Sequence, residues 1–288
     1  MIDVNGCQLE ARFTVPGTVP GTLPGLPQHA TAGSSNAHAS AASLRDKQAT
    51  PVIVLLHEGL GCVELWRSFP QLLCEHTNCP VVAYSRAGYG SSDPVVLPRP
   101  LDYMTREALD VLPLVLDAIG ARKYILVGHS DGATVAAINA GSTTDYRVRG
   151  LVLMAPHFFS ETKAITSIAR AREQYISGIL REKLARYHKH VDIAFYGWCD
   201  AWLDPGFVEW NVADCIDYLR IPVLGIQGTA DEYATLAQID EIKTRIYAPF
   251  EETLIAECGH APHLEQPDVT LASIALFVER LIAIEQSR

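Results

Sequence analysis

Three residues of this 288-residue chain have the types and settings needed for nucleophilic attack on a carbonyl: Ser130, Asp231 and His260. Ser130 lies in Gly128-His129-Ser130-Asp131-Gly132, a G-x-S-x-G run between the strand-like Lys123–Val127 and the Ala-rich, helix-like Gly132–Ala140. A serine hydroxyl attacks poorly unless a base removes its proton as the bond forms. The two glycines leave room for a sharp strand-to-helix turn that lifts Oγ above the sheet edge. The helix start then favours the negative charge that develops. Asp231 follows the apolar run Ile221–Ile226 in Gln227-Gly228-Thr229-Ala230-Asp231, and His260 follows Glu252–Ala256 in Cys258-Gly259-His260-Ala261-Pro262-His263. All three fall at or just past the carboxyl end of a predicted strand, in the chain order nucleophile, acid, base.

Neighbouring residues compete for these roles. Glu232 adjoins Asp231, but Asp231 fits the strand-end spacing better. His263 falls where a helix starts and reads as a structural hydrogen-bonding residue. His129 reads as a packed turn residue, and His57 as a brace at the end of a buried strand. The backbone N–H groups of Asp131 and Gly59 are the expected oxyanion donors, Gly59 standing in the loop His57-Glu58-Gly59-Leu60-Gly61. The carboxylates of Glu58 and Asp131 are unusual so near a developing anion. They are expected to turn outward, to bond within the loop, or to read a polar group on the substrate.

The elements that must position these residues alternate along the chain. Cys7–Val15 reads as a first strand, followed from Pro16 to Thr50 by a Pro-, Gly-, Ala- and Ser-rich stretch expected to be a flexible insertion. Val52–Leu56, Pro80–Tyr84, Lys123–Val127, Gly150–Met154, Ile221–Ile226 and Glu252–Ala256 read as short buried strands. Helical spacing is seen in Glu64–His76, Thr105–Ile119, Gly132–Ala140, Thr235–Ile246 and Val269–Ile284. The predicted fold is therefore α/β, a doubly wound and mostly parallel sheet. Residues 157–215 interrupt the alternation and read as a helical cap on a core formed by 1–156 and 216–288. The charged side of the cap carries Arg170, Arg172, Arg181 and Arg186. Its aromatic side carries Tyr196, Trp198, Trp202 and Trp210, of which Trp198 and Trp202, with Leu60, are the substrate-binding candidates.

From Pro51 to about Leu281 the chain resembles the α/β-hydrolase superfamily, in particular its members with a cap after the sixth strand. His57-Glu58-Gly59-Leu60-Gly61 is similar to the His-Gly-Gly-Pro-Gly loop of proline iminopeptidases, departing at Glu58 and Leu60. Tyr84–Ser92 resembles the superfamily's Asp-x-Arg-Gly-x-Gly-x-Ser turn, with Ser85 and Ala87 off pattern. Gly259-His260 through Glu265-Gln266-Pro267 matches the histidine segment of capped esterases, lactonases and carbon–carbon bond (meta-cleavage product) hydrolases. The resemblance implies a serine hydrolase acting on a small ester, lactone or thioester. Its alternatives are a meta-cleavage type hydrolase and a non-catalytic small-molecule receptor.

Composition limits the partners. A formal net charge of -10 disfavours nucleic acid and anionic membranes, and the apolar runs are too short to span a bilayer. No metal site or cofactor is expected, because no His, Cys or carboxylate cluster has ligand spacing. Seven dispersed cysteines and a start without a cationic and apolar leader fit a reduced, cytoplasmic protein. The expected partner is a small-molecule substrate, with homo-oligomer formation left open.

Overall fold

Strands that are apolar at every position need cover on both faces. In the computed structural model, which describes residues 1–17 and 50–287, they have it. The segment 18–49, most of the expected insertion, lies outside the described residues.

β1 (Ile2–Val4) and β2 (Cys7–Leu9) form a separate antiparallel hairpin. The main sheet comprises β3 (Ala11–Thr14), β4 (Val52–Leu56), β5 (Val81–Tyr84), β6 (Tyr124–His129), β7 (Val148–Met154), β8 (Val223–Gly228) and β9 (Phe250–Ile255). Their order across it is β3-β5-β4-β6-β7-β8-β9; only β3 runs antiparallel. The strand expected over Cys7–Val15 is split at Glu10. The Glu10 amide donates to Ser92 Oγ at 2.8 Å, and its carboxylate accepts from the off-pattern Ser85 at 2.7 Å.

Alternation along the central strands sorts their side chains into two cores. Val52, Val54 and Leu56 join Leu126, Leu151 and Leu153 on one face. Ile53 and Leu55 join Ile125, Val127, Val152 and Ile226 on the other. Each such fully buried side chain contributes ~2 kcal/mol relative to exposure. The outer strand β9 carries the exposed Glu251 and Glu252, a charged edge that resists pairing with another chain.

Two predicted helices are remodelled. The one expected over Glu64–His76 is a 3-10 turn (Val63–Trp66), a break at Arg67 with φ 51°, and a helix from Phe69 to Thr77. The one expected from Thr105 runs from Tyr103 to Ile119 but widens to π geometry over Glu107–Val111. Pro113, just past that stretch, has no N–H for the carbonyl four residues earlier.

Between β7 and β8 the chain forms helices Thr162–Ile176, Ile179–Leu184 and Val191–Trp202, then two 3-10 turns. This stretch follows the fifth strand of the main sheet, or the seventh of the chain with the hairpin counted. Ala164, Ile168, Ala171 and Tyr175 bury one stripe of the first helix. Arg170 and Arg172 lie on its exposed side; Arg181, in the second helix, and Arg186 after it are exposed too, and Arg181 pairs with Asp192 at 2.8 Å.

β6 ends in the turn that presents Ser130, and the helix Asp131–Ser142 leaves immediately. A Cβ on Gly132 would stand 2.1 Å from the Leu56 carbonyl oxygen, and one on Gly128 2.4 Å from Ala133 Cα. Both obstacles are backbone and cannot rotate away. Gly132→Ala should therefore lower unfolding stability by about 3 kcal/mol through overpacking. Urea denaturation checks this, with a fall in midpoint at constant slope expected.

Candidate active site

Ser130 has φ 53° and ψ −121°, a conformation that L residues adopt only under constraint. The constraint is local. Its amide donates to the Met154 carbonyl at 2.9 Å, and its own carbonyl accepts from the amides of Ala133 and Thr134. The strand end and the helix start thus hold the residue from both sides, with Oγ facing His260. His260 Nε2 lies 2.9 Å from Ser130 Oγ, and Nδ1 lies 2.8 Å from Asp231 Oδ2. The structure brings these three residues, distant in sequence, into one hydrogen-bonded chain.

Four donors meet the Asp231 carboxylate. Tyr233 and Ala234 amides reach Oδ1 at 2.7 and 3.0 Å, and Gln227 Nε2 reaches Oδ2 at 2.6 Å beside His260 Nδ1. Burial pushes this carboxyl up. The His260 and backbone donors outweigh that and bring it down to about 2. An acceptor-only carboxylate requires the Nδ1 proton on His260, which leaves the Nε2 lone pair toward Ser130. Glu232, the competing acid, instead accepts the His260 amide at 3.3 Å. Glu265 accepts the amides of Gly259 and Ala261 at 2.7 and 3.0 Å, so two carboxylates clamp the backbone on either side of the imidazole.

His129 does more than pack. Its Nε2–H donates to the His260 carbonyl at 2.7 Å, while Nδ1 faces Glu58 Oε2 at 3.4 Å. Burial raises the Glu58 carboxyl, but the His129 hydrogen bond and charge overcome this and hold it well below the usual carboxylate range. Burial lowers His129, and the same pairing with Glu58 lifts it above its ordinary value. Asp131 is turned inward, accepting the Tyr103 hydroxyl at 2.5 Å, and Tyr103 in turn accepts Trp202 Nε1 at 3.0 Å. Burial raises the Asp131 carboxyl, against the opposing pull of Arg86 and Tyr103. His263 is buried against Trp66 and Phe69, and His57 braces the following loop through Glu58.

A cavity of about 110 Å³ opens onto Ser130 and His260, lined by all three substrate-binding candidates, Leu60, Trp198 and Trp202, and by Gly59 and Asp131. Tyr196 and Trp210 pack elsewhere, on Tyr175 and on Phe207. His157 also lines the cavity and was not marked by any motif. It stands just past β7, so the strand-end rule that found Asp231 would have found it. Burial and then the neighbouring His260 depress its imidazole to about 3, which keeps it neutral. Tyr103 and Gln227 were missed for want of any local signal, and Arg86, though the arginine of the turn motif, gave no sign of where its guanidinium would lie. A larger groove of about 640 Å³, past Tyr146, Tyr218 and Ile284, lies by the amino ends of β7 and β8 and contains neither Ser130 nor His260. Among the described residues no group of three or more His, Cys, Asp or Glu is placed to hold a metal ion, and no helix is long and apolar enough to cross a membrane.

A strand-end site of this kind on a mostly parallel, doubly wound sheet defines a class of hydrolase. The sequence profile described as "Alpha/beta hydrolase family" matches residues 53–273, and the chain belongs to that family. "Epoxide hydrolase 3" of Siraitia grosvenorii is 31% identical over 127 residues, a match spanning 43% of this chain and 38% of that protein. A proline iminopeptidase structure from Mycobacterium smegmatis superposes with TM-score 0.71 at 18% identity, covering 99% of this chain and 98% of that one. An enol-lactonase from Burkholderia xenovorans superposes with TM-score 0.64 at 17% identity, covering 96% and 98%. Both structures share the fold with this chain.

The depressed Asp231 acidity carries a pH signature. A group with a folded value of about 2 and an ordinary value of 3.8 contributes stability that is complete above about pH 5 and lost as pH falls toward 2. The difference is on the order of 2 kcal/mol. Between pH 5 and 2 the unfolding free energy of the wild type should fall by about that much more than that of Asp231→Asn, measured by urea denaturation at each pH.

Proposed function

We propose that this protein is a serine hydrolase that cleaves a small ester, lactone or thioester through an acyl-enzyme. The observation that carries the proposal is the unbroken hydrogen-bonded chain from Ser130 Oγ through His260 to Asp231, opening onto the cavity. In this reading Ser130 Oγ attacks the substrate carbonyl and its proton passes to His260 Nε2. Asp231 holds the imidazole tautomer and stabilises the imidazolium. The amides of Gly59 and Asp131 donate to the oxygen as it gains charge; among the described residues, neither is bonded to another backbone carbonyl. Collapse of the tetrahedral intermediate expels the alcohol or thiol, which takes the proton back from His260. Water, activated by the same imidazole, then frees the acid.

Residues 157–215 act as the cap and set substrate size. Ala164, Ile168, Trp198 and Trp202 come from this region, and with Leu60 they give the cavity an apolar wall. About 110 Å³ holds a short acyl group and little more. The iminopeptidase and lactonase of similar fold act, by their names, on acyl compounds, in keeping with this chemistry.

Labelling by a fluorophosphonate probe tests the assignment. The wild type should be labelled on Ser130, and Ser130→Ala should lose both labelling and esterase turnover. Asp231→Asn should lower kcat about 10⁴-fold, with Glu232→Gln changing it little. Labelling that survives in Ser130→Ala would end the serine mechanism. For specificity, Trp198→Ala or Trp202→Ala should shift the kcat/KM ratio of hexanoyl to acetyl p-nitrophenyl esters at least about tenfold toward the longer chain. Equal losses on both esters with a large drop in Tm would place the selective contacts elsewhere.

A further inference from the structure

One peptide unit beside the cavity is held from several directions. The Glu58 carbonyl oxygen accepts from His57 Nδ1 at 2.6 Å, from Arg86 Nη2 at 2.9 Å and from the Gly61 amide at 3.1 Å. Arg86 also decides the first of these. Its backbone N–H donates to His57 Nε2 at 3.0 Å, so the ring proton sits on Nδ1 and points at Glu58 O. The two side-chain donors stand 3.5 Å apart because both converge on that oxygen.

A trans peptide is planar, with its C=O and N–H opposed, so fixing the Glu58 carbonyl fixes the direction of the Gly59 N–H. Donors on the carbonyl also polarise the amide and strengthen its N–H. From the other side the Trp198 indole presses on Gly59, where a Cβ would stand 2.1 Å from the indole nitrogen. The Arg86 guanidinium reaches further, to 3.9 Å from Asp131 Oδ2, and is 2% exposed. Its Nε and Nη1 find no hydrogen-bond partner among the described residues, so it is oriented by Glu58 O, by Asp131 and by the Tyr89 ring, whose centroid lies 5.2 Å from the guanidinium carbon.

We propose that Arg86 is a positioning residue for oxyanion stabilisation: it aims the Gly59 N–H into the cavity and sets a positive charge against the Asp131 carboxyl beside the nucleophile. The inference rests on Ser130 being the nucleophile and on the Gly59 and Asp131 amides being the oxyanion donors. It accounts for a site that keeps the Asp131 carboxyl next to a developing anion, the Glu58 carboxylate being faced by His129. Without Arg86 the Asp131 carboxyl would oppose that charge, and the Gly59 amide would lose its fixed direction.

The test uses fluorophosphonate labelling, which needs no knowledge of the natural substrate. Ser130 Oγ bonds to phosphorus, fluoride leaves, the serine proton passes to His260, and the phosphoryl oxygen occupies the oxyanion site. The maximal labelling rate should fall about 100-fold in Arg86→Met and about 10-fold in Arg86→Lys. The concentration giving half that rate should stay within about threefold of the wild type, because the reacting oxygen and not ground-state binding is affected. The affinity of phenylboronic acid, which forms a tetrahedral anionic adduct on serine, should weaken in step with the rate, a readout that a merely structural role would leave alone. A folded Arg86→Met with a labelling rate within threefold of the wild type overturns the proposal, as does rate loss with unchanged boronate affinity. If Arg86→Met does not fold, Arg86→Lys decides by the same two measurements. Labelling that persists in Ser130→Ala sinks the serine mechanism instead, whatever the Arg86 variants do.

Discussion

Where β6 becomes a helix, one residue is forced to φ 53°, and the rest of the site is arranged around that strain. The turn holds because the helix start lies against the end of β4 too closely for any side chain at Gly132. It holds also because Ser130 is bonded to β7 through Met154. Backbone packed this tightly cannot relax into a commoner conformation, so the hydroxyl stays above the sheet edge with its orientation set before any substrate arrives. The neighbouring strands then need only deliver their loops to the same edge. β4 brings Gly59, β8 brings Asp231 and β9 brings His260.

The electrostatics of this edge are unusual for a site proposed to stabilise an anion. Glu58 and Asp131 both line the cavity, and each has a buried partner of opposite character. His129 faces Glu58, while Arg86 and the Tyr103 hydroxyl face Asp131. Buried charges are tolerable when paired and bonded, and here the pairs also join loops. Glu58 and His129 link the loop after β4 to the His260 backbone. Asp131, Tyr103 and Trp202 link the nucleophile's neighbour to the helix Val191–Trp202. Substitutions at these carboxylates would therefore disturb geometry as well as charge.

Family membership and substrate choice rest on different parts of the molecule. The sheet, the turn at Ser130 and the loops at the strand ends make it an α/β hydrolase. Relatives named for iminopeptidase, lactonase and epoxide hydrolase activity show how little the fold restricts chemistry. Under the proposed function, what restricts it here is a small volume walled by Leu60, Ile168, Trp198 and Trp202. Ile168, Trp198 and Trp202 come from the stretch between β7 and β8, and Leu60 from the loop after β4.

The sheet and the positions of Ser130, Asp231 and His260 were legible in the sequence, because local rules govern them. A strand buried on both faces must be apolar throughout, a close-packed turn must be glycine, and loops at strand ends follow their strands directly. Element ends were off by a few residues. The helix break at Arg67, the π widening ahead of Pro113 and the split at Glu10 escaped, since each depends on bonds to distant segments or on how the chain satisfies a missing donor. The role of His129 could not be read either. Its partners, Glu58 and the His260 carbonyl, lie far away in sequence. The same holds for Arg86, which resembles any other arginine in a turn motif until folding sets its guanidinium on the Glu58 carbonyl, and for the cavity wall that Trp198 and Trp202 share with Leu60. Periodicity and turn chemistry are written into neighbouring residues, whereas the direction of a buried side chain is decided only when strands far apart in the chain lie side by side.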